Sequence, residues 1–166
     1  AIDDPNYTGT MDMYNNVECN TWFYGHEVGT NDPNSRDYAW CSVFCLFCAN
    51  EAALFQDNFL GLERTPNELQ AAGLARAYSV RDLYIDNGLY ELALINNEQN
   101  YIPKVGDYMV LNTSHICIVT GYDVETGIVY TVEGNMDDKV GVNCYYYYDT
   151  RINGYCCNGG TEITTE

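Results

Sequence analysis

Positive charge is scarce in this chain: 7 Lys and Arg stand against 24 Asp and Glu, a formal net charge of -17 over 166 residues. No stretch gathers Lys and Arg into a patch that would neutralise phosphates, so nucleic acid is not an expected partner. The same imbalance disfavours adhesion to anionic lipid or phosphate-rich wall polymers, because like charges repel over a Debye length of about 8–10 Å. Acidity also serves solubility alone. Long apolar runs are missing too. The longest, Ala39 to Ala49, is interrupted by Ser42 and falls short of the roughly 20 residues of a membrane-spanning helix, so it reads as a buried helix. The first residue is not Met and no charged stretch followed by an apolar one opens the chain. Any export signal is therefore expected to have been removed or to belong to a longer parent.

What is present is ordinary for one folded domain around a single core: 46% apolar residues and 19% charged ones. Cysteine is the exception, with residues at 19, 41, 45, 48, 117, 144, 156 and 157. They lack the paired spacing of a zinc site in two halves. Cys45 and Cys48 form a C-x-x-C, but inside the apolar helix and without a second Cys or His pair, which favours a core role. Cys156 and Cys157 would point to opposite faces of a strand, leaving at most one for the core.

Residues 1–21 are polar and turn-rich and read as an N-terminal arm. Between Asp37 and Leu54 the apolar positions Trp40, Val43, Phe44, Phe47 and Leu54 follow helical spacing. Thr65-Pro66 with Glu68 offers a capped restart, and Ser79 to Asn87 a further helix closed by Gly88. After Pro103 come β-branched runs: Asp107–Leu111, Ile116–Tyr122, Ile128–Glu133, Val140–Tyr148 and a last one near Tyr155. Helices first and consecutive strands second predict an α+β domain over 22–157, its N-terminal helices packed on a C-terminal antiparallel β-sheet, with 158–166 as a flexible tail.

The chemistry-bearing residues follow from that layout. Cys41 would open the first helix, where unpaired amides and the helix dipole favour a thiolate; Cys45 and Cys48, further in, gain no such help. Of the 2 histidines, His26 lies in a loop-like segment, whereas His115 opens a strand and is the better-held base. A hairpin symmetric about Val124 would set His115 opposite Glu133, close enough for a carboxylate to orient an imidazole. Asn135, on the same face if the strand continues, would replace or assist Glu133. Cys, His and an orienting group make an acyl-transfer site that needs no cofactor. The oxyanion would be held by the Cys41 N–H and a second donor, for which Tyr24 is nominated.

Several segments resemble one family. Trp22 to Gly25 (WFYG), Tyr38 to Leu54 (YAWCSVFCLFCANEAAL), Pro103 to Asp107 (PKVGD), Ser114 to Gly121 (SHICIVTG) and Val132 to Asn135 (VEGN) are together similar to the CHAP domains (cysteine, histidine-dependent amidohydrolase/peptidase) of the NlpC/P60-like branch of papain-like hydrolases. The resemblance spans about residues 22–145. It implies a papain-like fold, Cys41 as nucleophile, His115 as base, Glu133 as orienter and Asn135 as a further polar member. It also implies activity on peptidoglycan, as an N-acetylmuramoyl-L-alanine amidase or an endopeptidase, in a secreted, wall-located or phage-borne protein. Wall targeting would then lie elsewhere in a larger multidomain parent. Ser42 and Cys117 replace commoner Ala and Gly, and the tail (CYYYYD, GYCCNGG) has no counterpart in the family.

Some phage members hold calcium in an acidic loop before the nucleophile, which makes Asp32, Asn34 and Asp37 candidate Ca²⁺ ligands. The 16 tyrosines exceed what a core requires, and those of Tyr145 to Tyr148 that face outward would line a groove for glycan or peptide, or be covered by a neighbouring segment. Two competing readings stand beside the wall hydrolase. One is a papain-like peptidase or effector acting on a non-wall amide. The other is a catalytically idle wall-binding module, supported by the tyrosine surplus and the Cys-rich tail.

Overall fold

A computed structural model describes residues 17–28, 38–52, 65–136 and 139–159. Four helices, α1 (Glu18–Tyr24), α2 (Cys41–Glu51), α3 (Pro66–Ala71) and α4 (Ala77–Asp86), precede the strands β1 (Tyr90–Leu92), β2 (Leu94–Ile95), β3 (Glu98–Gln99), β4 (Tyr108–Leu111), β5 (His115–Asp123), β6 (Ile128–Met136), β7 (Lys139–Tyr146) and β8 (Ile152–Cys156). The class is α+β with antiparallel pairing throughout.

Local chemistry explains the helix ends. At α3, Thr65 Oγ1 accepts from the Glu68 amide at 3.4 Å while the Glu68 carboxylate accepts from the Thr65 amide at 2.7 Å. This reciprocal box and Pro66 at the first helical position start the helix. The helix expected from Ser79 begins two residues sooner, at Ala77, and ends before Gly88, whose φ of 68° turns the chain out.

Both termini differ from expectation. The arm assigned to 1–21 gives way to α1 at Glu18, because Cys19 and Phe23, four apart, share one buried face; residues 1–16 lie outside the described residues. The tail assigned to 158–166 begins inside the structure. Asn158 donates its amide to Asp107 Oδ1 at 2.9 Å and its side-chain nitrogen to the Gly106 carbonyl at 2.8 Å, and it also accepts from the Tyr84 hydroxyl.

One sheet runs β1-β8-β4-β5-β6-β7, and β2-β3 forms a separate hairpin turned by Asn96 and Asn97, both left-handed. Strand β1 was not foreseen, since three residues are too few to show alternation. Successive residues of β4 and β5 enter different apolar clusters. Tyr108, Val110 and Ile116 join Trp40, Val43, Cys45 and Leu46 of the α2 region; Met109, Leu111, Cys117 and Val119 join Val129, Tyr145 and Tyr155. Each face of these strands is thus buried in its own core. At Gly134 an added Cβ would lie 2.4 Å from Phe44 Cβ, so glycine is what lets α2 and β6 approach this closely. Cys45 is buried in the first cluster, Cys156 is buried and Cys157 half-buried, and all eight cysteines are free thiols.

Candidate active site

Cys41 is the first residue of α2 and is buried but for 8% of its surface. Trp40 before it provides no side-chain cap, so the first amides of the helix remain available to a ligand. The next residue anchors this helix end: Ser42, fully buried, donates its hydroxyl to the Leu74 carbonyl at 2.7 Å. That contact is the reason for a serine where the resemblance led to alanine.

His115 opens β5 behind Ser114, which adopts a left-handed φ of 61°. Its Nε2 lies 2.9 Å from Glu133 Oε2. Burial works against the charged imidazole, but hydrogen bonds and charge interactions with Cys41 and Glu133 outweigh it and raise its pKa from 6.5 to about 9. With Nε2 held by the carboxylate, Nδ1 is the ring nitrogen left for another partner.

Glu133 is buried, and both of its oxygens are used. Oε2 faces His115, while Oε1 accepts from the hydroxyls of Thr131 at 2.8 Å and Tyr145 at 2.9 Å. Asn143 in turn donates to the Tyr145 hydroxyl at 3.1 Å. Burial pushes the Glu133 carboxyl up, but the hydrogen bonds from His115, Thr131 and Tyr145 together hold it below the usual carboxylate range.

The hairpin register differs from the symmetric one. Asp123 pairs with Ile128 and Gly121 with Tyr130, but the next pairs are Val119 with Thr131 and Ile118 with Val132, leaving Thr120 unpaired in a β-bulge. One step further brings Cys117, not His115, level with Glu133. His115 and Glu133 are therefore diagonal neighbours, still within reach of long side chains. The bulge decides their face. A regular ladder continued from the turn would put His115 and Glu133 on opposite faces; one extra residue at Thr120 corrects the odd offset. Val119 and Tyr122, three apart, accordingly pack on the same apolar cluster.

Strand β6 does run on through Asn135, but not with regular alternation. Asn135 sits at φ 58°, where the β6–β7 pairing shifts between Glu133 and Met136. Of the two orienters considered, Glu133 takes the ring nitrogen. Tyr24, the last residue of α1, lines a cleft of about 570 Å³ together with Cys41, Arg76, Tyr78, Asp82 and Ser114. His26 is exposed, with Nδ1 2.9 Å from the Glu27 carbonyl oxygen. Asp32, Asn34 and Asp37 lie outside the described residues.

Sequence reading missed two donors to the carboxylate and the wall that α4 gives the cleft. Thr131, two before Glu133 on one strand, was open to the same alternation argument. Tyr145 was hidden in a run of four tyrosines, because which of them faces inward depends on its pairing with Val129.

The His115–Glu133 pair implies a pH dependence of stability. The raised imidazole contributes fully below its unfolded value of 6.5, and that contribution is lost as pH climbs through about 9. The depressed Glu133 carboxyl contributes above 4.5 and loses its contribution on acidification. Between pH 6.5 and about 9 the unfolding free energy of wild type should therefore fall by about 1–3 kcal/mol more than that of His115→Ala. Urea titrations at each pH measure the difference; parallel curves for the two proteins would contradict the arrangement. Compared with protein-family models, curated proteins and solved structures, the chain matches none.

Proposed function

We propose that the protein is a papain-like cysteine amide hydrolase acting on peptidoglycan. Cys41 is the nucleophile, His115 the general base and then acid, and Glu133 the group that orients the imidazole. The observation that carries this reading is the imidazole of His115 held 2.9 Å from the buried Glu133 carboxylate, at the strand start whose neighbour Ser114 shares a cleft with Cys41.

The steps balance with these residues. The Cys41 sulfur, its proton passed to His115, attacks the amide carbon and forms a tetrahedral oxyanion. The imidazolium protonates the departing amine, leaving a thioester, and then takes a proton from the water that hydrolyses it. Glu133 keeps the ring fixed and balances its charge throughout. The amide at the head of α2 and the Tyr24 hydroxyl are the proposed oxyanion donors. No step requires a cofactor.

A papain-like layering, with helices on one face of the antiparallel sheet, is supported by the cluster that joins Trp40, Val43 and Cys45 to Tyr108 and Ile116. The substrate class rests on the similarity to CHAP domains in the segments that carry Cys41, His115 and Glu133. On that basis the bond cut is the N-acetylmuramoyl-L-alanine amide or a link in the peptide stems. The protein would act outside the cell at the wall, or from a phage particle, as part of a larger multidomain chain. Incubating purified peptidoglycan with the protein and scoring new amino groups, with mass spectrometry of the fragments, tests the reading. New amino groups should appear with wild type; release that persists in Cys41→Ala and His115→Ala would sink it.

A further inference from the structure

Among the described residues Arg76, an exposed side chain, is a cation without an ion-pair partner on the cleft that holds Cys41. That cleft, about 570 Å³, lies within the size range of small-ligand sites, and the N-cap and first two turns of α4 bring Arg76, Tyr78 and Asp82 to its wall. The neighbouring charges are already paired. Arg81 holds Asp82 at 2.8 Å and lies 4.3 Å from the Tyr78 ring centre. Among the described residues Arg76 has no ion-pair or side-chain hydrogen-bond partner. In a chain with only 7 basic residues and a net charge of -17, general attraction of anions cannot be its use, because the overall field repels them.

We propose that Arg76 binds a carboxylate of the substrate and thereby selects amides that carry one near the bond attacked by Cys41. This rests on the acyl-transfer reading above and names a recognition element for it. A guanidinium presents parallel N–H donors that match the two oxygens of a carboxylate. A single such group, with Asp82 already neutralised, suits a monoanion better than a doubly charged phosphate. Since Arg76 and Cys41 line one cleft, a molecule anchored by the first presents its amide to the second.

N-acetylglycylglycine and its C-terminal carboxamide differ by one charge and serve as probes. Titrated into the reduced wild-type protein and followed through the NMR signals of Ala77, Tyr78 and Ser79, the carboxylate should bind about tenfold more tightly than the carboxamide. Arg76→Gln should bring that ratio to about one, and Arg76→Lys should keep part of it, since a point charge lacks the planar fork. Equal binding of the two probes to wild type, no shift of those signals by either, or a preference that survives Arg76→Gln overturns the proposal. Alkylation of Cys41 by iodoacetamide is read in parallel. A Cys41 inert to the reagent beside an intact carboxylate preference would refute acyl transfer and leave the anion site standing.

Discussion

Cys41→Ala and His115→Ala should each remove nearly all amide hydrolysis, with losses of about three or more orders of magnitude, and the double variant should be scarcely worse than either single one. The reason is that sulfur and imidazole form one proton-transfer unit. Without the base the thiol is a weak nucleophile, and without the sulfur the imidazole has nothing to activate. Such non-additivity separates a catalytic pair from two residues that matter for unrelated reasons. Cys45→Ala provides the contrast. That thiol lies one turn further along α2 in the apolar core, so its loss leaves a small cavity and lowers stability with little change in rate. Steady-state hydrolysis with circular dichroism on the same samples checks all four proteins. Additive losses, or a Cys45 variant as inactive as the Cys41 one, would contradict the assignment.

Replacement of Glu133 should affect both rate and stability. Glu133→Ala strips His115, Thr131 and Tyr145 of one shared acceptor. Leaving these buried donors unmatched destabilises the protein by about 2–4 kcal/mol, read from urea unfolding. Glu133→Gln keeps the shape but removes the charge and offers a donor where an acceptor is needed, so turnover should fall by about two to four orders of magnitude. The imidazole reports the cause. In Glu133→Gln its pKa should drop from about 9 by more than one unit, because the carboxylate supplies part of the upward shift, and the alkaline limb of the activity profile should move with it. An NMR titration of His115 measures this. An imidazole that titrates as in wild type would show that Glu133 does not hold the ring.

Elements defined by neighbours in the chain were legible without coordinates. The box of Thr65, Pro66 and Glu68, the apolar spacing that put Cys41 at the head of a helix, and the β-branched runs of β4 to β7 depend only on residues a few positions apart. The pair His115 and Glu133 was also reached, through a register that differs from the structure. The symmetric hairpin and the bulged one are both even in offset along the stretch that matters, and an even offset preserves the face. The bulge at Thr120 left no mark in the residue pattern. The run Ile116–Val119 before it is continuously apolar, and the unpaired residue is defined only by what β6 places opposite.

Taken alone, the sequence determined the α+β class, the helix start that presents Cys41, and the candidacy of His115 over His26, because each depends on local propensity or short-range periodicity. Tertiary structure alone decided that Tyr145 holds the buried carboxylate, that Asn158 is bound to the β4 approach rather than loose, and that Arg76 shares a cleft with Cys41. Those contacts join residues from 12 to 51 positions apart. Their existence depends on how sheet register and helix packing close long loops, which no local pattern encodes.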